Sequence, residues 1–284
     1  METSEILYYF LYIILNFLSY VFIVISQYES VIIISTKYHI IQLLSSYLSL
    51  YFLRKTRNKP GYLDKKRISQ ETAINELNEL AMNYENSPIL TINVIPSNGC
   101  DICNISKLPL RSNHCPICQK CVEGFDHHFW ILAGCIGEKN HSCFIVFLFF
   151  QNISLICSCF GIIKIIYYQD KEILEYFLTF YFSIICLIEV LFFLIFCYHL
   201  FLLLSNQTTY EIFNEDECPY LSAFTYERNK ILYQRGFQVN NDVRYRPFDA
   251  GIIANICLFI IKLFNSDYPI RWDDIFIDNL KTNK

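Results

Sequence analysis

Residues 100–137 read CDICNISKLPLRSNHCPICQKCVEGFDHHFWILAGCIG. This stretch gathers Cys100, Cys103, Cys115, Cys118, Cys121 and Cys135 with His114, His127 and His128. A two-residue gap between cysteines lets both sulfurs turn back onto one ion at about 2.3 Å. Cys-x2-Cys followed by His-Cys-x2-Cys-x2-Cys is therefore zinc spacing. Scattered reduced thiols would not produce these pairs, and a cytosolic setting disfavours structural disulfides. The ligand count suggests two tetrahedra of Cys3His type. Spacing alone leaves their pairing open, including a simpler one within a single finger.

Composition sets the surroundings of this block. The chain of 284 residues is 54% hydrophobic and 17% aromatic, with 18% charged residues. That is too apolar for an ordinary soluble domain and points to a membrane protein. A formal net charge of −4 offers no basic face for nucleic acid. Four apolar runs follow: Ile6–Ser26, Val31–Leu53, Cys143–Tyr167 and Tyr176–Leu204. Each reaches the roughly 20 residues that a spanning helix needs. The second carries Lys37 and His39 near its start, where long side chains can snorkel to the interface. The residues before the first run, METSE, hold two acids and no base, unlike a signal peptide, so this run is expected to be a retained helix.

Lys and Arg set the orientation. Arg54, Lys55, Arg57, Lys59, Lys65, Lys66 and Arg67 follow the second run, whereas the loop QYES between the first two has neither. The positive-inside rule places residues 54–142, and with four spans both termini, in the cytosol. The expected plan is helices 1 and 2 over 1–53, a linker over 54–99, a cysteine-rich domain over 100–142, helices 3 and 4 over 143–204, and a tail over 205–284. In the linker, Ala73, Ile74, Leu77, Leu80, Ala81 and Tyr84 share one stripe, predicting a short amphipathic helix. In the tail, Gly251–Phe264 is too short to span and predicts an interfacial helix or one packed on the bundle.

Several residues outside the block invite attention. Cys143, Cys157, Cys159, Cys186 and Cys197 lie in or beside the apolar runs, where cysteine acts as a small hydrophobe. Cys218 and Cys257, in the tail, are candidate acylation targets. Glu189 lies within the fourth run, and its simplest expected role is a helix-to-helix hydrogen bond to a Tyr or Ser. His199 stands nearer the end of the same run.

Taken in order, C-x2-C, LPLRSNHCPICQKC, FDHH and C-I-G-x-x-N resemble the cysteine-rich domain of DHHC protein S-palmitoyltransferases. Thr208-Thr209-Tyr210-Glu211 is similar to that family's Thr-Thr-x-Glu motif, and RPFDAGIIANICLF to its C-terminal element, with Pro247, Phe248, Asp249, Gly251 and Asn255 in step. A membrane-anchored zinc-finger ubiquitin ligase would share some zinc spacing but neither the Asp-His-His nor the Thr-Thr-x-Glu. The resemblance implies an all-α membrane protein of four transmembrane helices, with a cytosolic two-zinc domain between helices 2 and 3. It implies one zinc on Cys100, Cys103, His114 and Cys121 and a second on Cys115, Cys118, His128 and Cys135. It further implies that Asp126 orients His127, that His127 activates the next cysteine, that Thr209 lies near the pair, and that Asn255 braces the tail. Palmitoyl-CoA would be the acyl donor, cytosolic-face protein cysteines the acceptors, and endomembranes such as ER or Golgi the location.

The sequence departs from the family where the chemistry should occur. Phe129 stands where the nucleophilic cysteine belongs, Trp130-Ile131 replaces the usual Pro-Trp, and Gly134 replaces an Asn. KLPLR carries one extra residue. Family chemistry passes the acyl group through a cysteine thioester. A phenyl ring cannot carry it. Direct transfer with His127 as base, a stand-in thiol at Cys143, or a catalytically inactive scaffold that binds acyl chains or recruits clients are the remaining readings.

Overall fold

The computed structural model describes residues 32–63, 99–168, 172–235 and 245–281. The first apolar run and the amphipathic stripe over 70–84 lie outside these residues. The described chain is mostly helical. Its elements are α1 (Ile32–Asn58), β1 (Asn113–Cys115), β2 (Lys120–Val122), β3 (His127–Phe129), β4 (Gly134–Ile136), α2 (His141–Tyr168), α3 (Glu172–Ser205), α4 (Thr209–Phe213), α5 (Pro219–Gln234), α6 (Ile252–Phe264) and α7 (Trp272–Lys281). They fall into two compact units.

The helical unit takes in residues through Asn58, Phe129–Gly134 and His141–Phe201. Two of its segments, His141–Lys164 and Glu175–Ser205, are long and apolar enough to cross a membrane. The second extends past the unit boundary. Phe177, Phe180, Leu187, Leu191 and Leu194 stand exposed on α3. A helix with so much bare apolar surface is at home in lipid rather than water.

Of the apolar run Val31–Leu53, residues 32–53 lie in α1, but α1 is not among the apolar candidate spans. Its polar side chains explain why. Gln42 Nε2 donates to Ser158 Oγ at 2.7 Å, Ser46 and Ser154 share a hydrogen bond at 2.6 Å, and Ser49 Oγ donates to Gln151 Oε1 at 2.8 Å. These pairs form a seam along which α1 packs on α2. Each group satisfied across the seam is hidden from lipid, where an unpaired one would be costly. Between α2 and α3, Leu155, Ile162 and Ile185 form an apolar core. The expected hydrogen bond to Glu189 is not found: its Oε2 is buried without a partner among the described residues.

The second unit comprises Lys59–His128, Cys135–Asn140 and residues from Leu202 onward. β1 and β2 pair antiparallel with His114 opposite Cys121, and β3 pairs with β4 in a second two-stranded sheet. Residues 61–63 run beside β2, with Leu63 N donating to Cys121 O at 2.9 Å and Glu123 N to Gly61 O at 2.9 Å. Gly137 closes this layer. A Cβ there would meet Pro60 O and Val122 Cγ1 at 2.6 Å each, so only glycine fits. The tail helices α5 and α7 share a core of Tyr220, Phe224, Phe248, Phe276 and Leu280. Arg228 Nη1 donates to the carbonyls of Asn279 and Leu280 at 2.8 and 3.0 Å, closing the C-terminal end of α7.

Because the α1–α2 seam is built from pairs, a double-mutant cycle of Ser49→Ala and Gln151→Ala should show coupling of about 0.5–2 kcal/mol. Thermal unfolding of the four proteins in detergent measures it. Strict additivity would mean the seam contributes packing alone.

Candidate functional site

The first metal-ligand set is built on a tight knuckle. Cys100 N donates to Ile105 O at 2.7 Å and Ile105 N returns to Cys100 O at 2.9 Å, while Cys103 N points at Cys100 Sγ at 3.4 Å. Asn104, at φ 51°, makes the reversal just after the second cysteine. A second knuckle repeats the device: Cys118 N points at Cys115 Sγ at 3.4 Å, with Gln119 at φ 53°. Each knuckle receives a histidine and a third cysteine from the strands. His114 Nδ1 lies 3.5, 3.3 and 3.8 Å from the sulfurs of Cys100, Cys103 and Cys121. His128 Nδ1 lies 3.6, 3.3 and 3.9 Å from those of Cys115, Cys118 and Cys135.

Within each set all four ligand atoms lie within 4.8 Å of one another. A tetrahedron with metal–sulfur arms of about 2.3 Å has edges of about 3.8 Å. The donor sets therefore fit a tetrahedral, thiolate-binding metal with no open position, the arrangement of a structural site. The interleaving arises because β1 supplies adjacent residues His114 and Cys115 to different sets, and β2 and β4 each add one cysteine.

Tyr62 touches the second set from outside, its hydroxyl donating to Cys118 Sγ at 3.4 Å. Burial, then the hydrogen bond to Cys118, push the phenol above its ordinary range, so it remains a donor.

Immediately before His128, Asp126 and His127 form a dyad. His127 Nδ1 lies 2.6 Å from Asp126 Oδ2. Asp126 is buried, and Thr209 holds it at both oxygens: the backbone N donates to Oδ1 at 2.6 Å and Oγ1 to Oδ2 at 3.0 Å. A carboxylate only accepts, so Nδ1 carries the proton that faces Asp126. Thr209 is presented by a capping box at the start of α4. Thr208 Oγ1 accepts from Glu211 N, and Glu211 Oε2 accepts from Thr208 N at 2.9 Å.

Arg111 locks Glu211 in turn. Its Nε and Nη2 each reach a Glu211 oxygen at 2.8 Å, its Nη1 and Nη2 reach the Asn206 side chain and carbonyl at 3.0 and 3.1 Å, and its guanidinium carbon lies 4.4 and 4.5 Å from the rings of Phe248 and Trp272. Asn255 Nδ2 donates to Leu204 O and Asp249 Oδ1 at 2.8 Å each. Arg111, Glu138 and Lys139 were not among the residues singled out by sequence. Glu138 accepts from Lys262 Nζ and Trp272 Nε1 at 2.6 Å each, and Lys139 reaches Asp267 at 2.8 Å. Lys139 first, then Lys59, hold the Asp267 carboxyl down to about 2. A usable signal for Arg111 was its place as the lone arginine in residues 100–137.

Phe129, in the helical unit, is 8% exposed and meets Phe144 edge-on at a ring distance of 5.1 Å. Phe144 meets the His199 ring at 4.9 Å, and His199 Nδ1 lies 3.0 Å from His141 Nε2. Cys143 is buried in α2. Of the two tail cysteines, Cys218 is buried, with its thiol pushed up to about 11 mainly by that burial. Cys257 is exposed on α6.

Residues 94–216 match the family model of the DHHC palmitoyltransferase. These residues carry a DHHC palmitoyltransferase domain by that match. It is 33% identical over 174 residues to a putative ZDHHC-type palmitoyltransferase of Dictyostelium discoideum, covering 58% of this chain and 34% of that protein. It is 33% identical over 148 residues to a probable protein S-acyltransferase of Arabidopsis thaliana, covering 48% and 33%. A palmitoyltransferase of Eremothecium gossypii is 34% identical over 166 residues, covering 57% and 40%. The chain thus spans about a third of the length of the first two of these DHHC relatives.

Truncating Arg111 would leave Glu211 charged, buried and unpaired, which costs about 3–5 kcal/mol. Arg111→Ala should lower thermal stability by that amount. Arg111→Lys should recover only part of it, because an ammonium cannot form the two-pronged bond or offer a flat face to the aromatic rings. Differential scanning fluorimetry in detergent checks both.

Proposed function

We propose that this chain is a protein S-acyltransferase that moves palmitate from palmitoyl-CoA to protein cysteines at the cytosolic face, without a thioester on its own residue 129. The observation that carries the reading is the fully assembled Asp126–His127–Thr209 arrangement two residues before a phenylalanine. His127 Nε2 takes the proton from a substrate cysteine. The resulting thiolate attacks the acyl carbonyl carbon, the bond from that carbon to the CoA sulfur breaks, and His127 returns the proton to the departing CoA thiolate. Asp126 stabilises the imidazolium between the two transfers.

The two metal centres hold zinc on this reading, on Cys100, Cys103, His114 and Cys121 and on Cys115, Cys118, His128 and Cys135. Their closed Cys3His donor sets support it. Zinc there is structural: it fixes the knuckles and, through His128, the backbone on which His127 stands. The chain crosses the membrane four times, through the first apolar run, α1, α2 and α3, with the cysteine-rich domain and both termini cytosolic. The basic residues Arg54, Lys55, Arg57 and Lys59 after the second run support that orientation. Endomembranes are the family's expected location, and lipid, acyl-CoA and membrane-proximal cysteine proteins its expected partners.

One observation favours a second reading. Phe129 is buried against Phe144 rather than projecting free. A packed ring at the nucleophile position suits an inactive relative that binds acyl chains or recruits clients.

Purified protein supplied with clickable palmitoyl-CoA and a cysteine peptide separates the readings. Direct transfer requires peptide labelling by the native protein, lowered about 10²–10⁴-fold in His127→Ala, with no hydroxylamine-sensitive label on the enzyme itself. Phe129→Cys should label itself and raise the rate by restoring the covalent route. An unlabelled peptide together with retained acyl-CoA binding would establish the scaffold instead. A self-label on the native protein that Cys143→Ser abolishes would place the relay at Cys143.

A further inference from the structure

We infer that Tyr62 is a supporting residue of the second metal centre alone, its phenolic O–H donating to Cys118 Sγ and slowing loss of the ion held there. This takes the two centres to be zinc sites, as proposed above. Cys118 Sγ is one of that centre's four ligand atoms, and the Tyr62 hydroxyl lies 3.4 Å from it. Three features fix the ring in place. Tyr62 bridges to Val122 of β2, and its neighbours Gly61 and Leu63 hydrogen-bond along the same strand. The ring packs into the cluster of Cys115, Val122, Phe125 and Cys135. Lys120 Nζ stands 4.8 Å from the ring centroid.

The chemistry follows from how a thiolate site is lost. Ligand sulfur must stay deprotonated, so proton capture by sulfur opens the site to departure. A hydroxyl already donating to that sulfur draws off negative charge and occupies a lone pair, making capture slower. Hydrogen-bond partners just outside a metal's ligands typically change affinity by about 10–100-fold. The first centre serves as an internal reference. Among the described residues, no hydroxyl donates to the sulfurs of Cys100, Cys103 or Cys121; their close polar partners are each other, His114 and a knuckle N–H.

The test uses the full chain in detergent. Elemental analysis comes first and should give two zinc ions per chain; any other count sinks the two-zinc reading and the role of Tyr62 with it. Release to a chromogenic chelator is then followed for the native protein and Tyr62→Phe, which keeps the ring and deletes the donor. The expected result is that one equivalent leaves about 10–100-fold faster while the other keeps its native rate. Two native rates would overturn the inference and leave the zinc reading standing. Equal acceleration of both would also overturn it, since that marks general loosening of the domain. If Tyr62→Phe does not retain two zinc ions, 3-fluorotyrosine at position 62 decides. It is a stronger donor of nearly the same size, so one equivalent should leave more slowly than in the native protein, and an unchanged or faster release refutes the role.

Discussion

Arg111 is a cation with almost no exposure, and its five N–H groups must find partners inside the protein. Glu211 takes two of them, Asn206 takes two more, and the rings of Phe248 and Trp272, themselves in edge-to-face contact, lie 4.4 and 4.5 Å from the guanidinium carbon. These partners come from three parts of the sequence: the end of α3, the short helix α4 and the C-terminal element. The arginine itself sits at φ 65°, and its carbonyl accepts from Phe125 N at 2.9 Å, just before the dyad. One residue of the cysteine-rich block therefore dictates where three distant segments must be. Burying this pair is no bargain in itself, since its desolvation is costly. Its effect is specificity: displacement of any one partner leaves a charge stranded.

The dyad inherits its geometry from that arrangement. Glu211 can serve Arg111 and the capping box together because its two oxygens face different donors. The capping box sets the first turn of α4, and that turn delivers Thr209 to both oxygens of Asp126. On the other side, His128 belongs to a metal-ligand set while its neighbour His127 belongs to the dyad. Strand alternation sends adjacent side chains to opposite faces, so one short strand can serve both. The dyad is thus held by a ligand set behind it and a capped helix beside it.

Much of this was legible in the sequence because it is local. Cys-x2-Cys pairs, the Asp-His-His run and Thr-Thr-Tyr-Glu are short motifs whose spacing carries their geometry. The partition of ligands into two sets was not legible from spacing. It depends on which strand pairs with which, a long-range fact that His114 opposite Cys121 settles. Glu138 and Lys139 escaped notice because their partners Lys262, Trp272 and Asp267 lie more than a hundred residues away in a tail of unremarkable composition. Glu189 was expected to find a hydroxyl, since many occur in the apolar runs. Which of them face it depends on helix rotation, and periodicity does not fix that when a helix is apolar all round. The reverse held for α1, whose polar residues weakened its signal as a span and then proved to be the seam with α2.

Phe129 shows how separable the frame and the nucleophile are. A phenyl ring makes no hydrogen bond, so the bonds from Thr209 to Asp126 and the Asp126–His127 pair itself do not depend on the side chain at 129. Replacing a small thiol by a phenyl ring adds apolar bulk, and here that bulk is absorbed by an edge contact with Phe144. The substitution therefore leaves the polar network intact, and no strain need spread to the metal centres. Such a frame can hold its histidine oriented and its metal-ligand sets closed whatever stands at 129. On the direct-transfer reading proposed above, the acceptor brings the nucleophilic thiol, and the frame need only present a base to it.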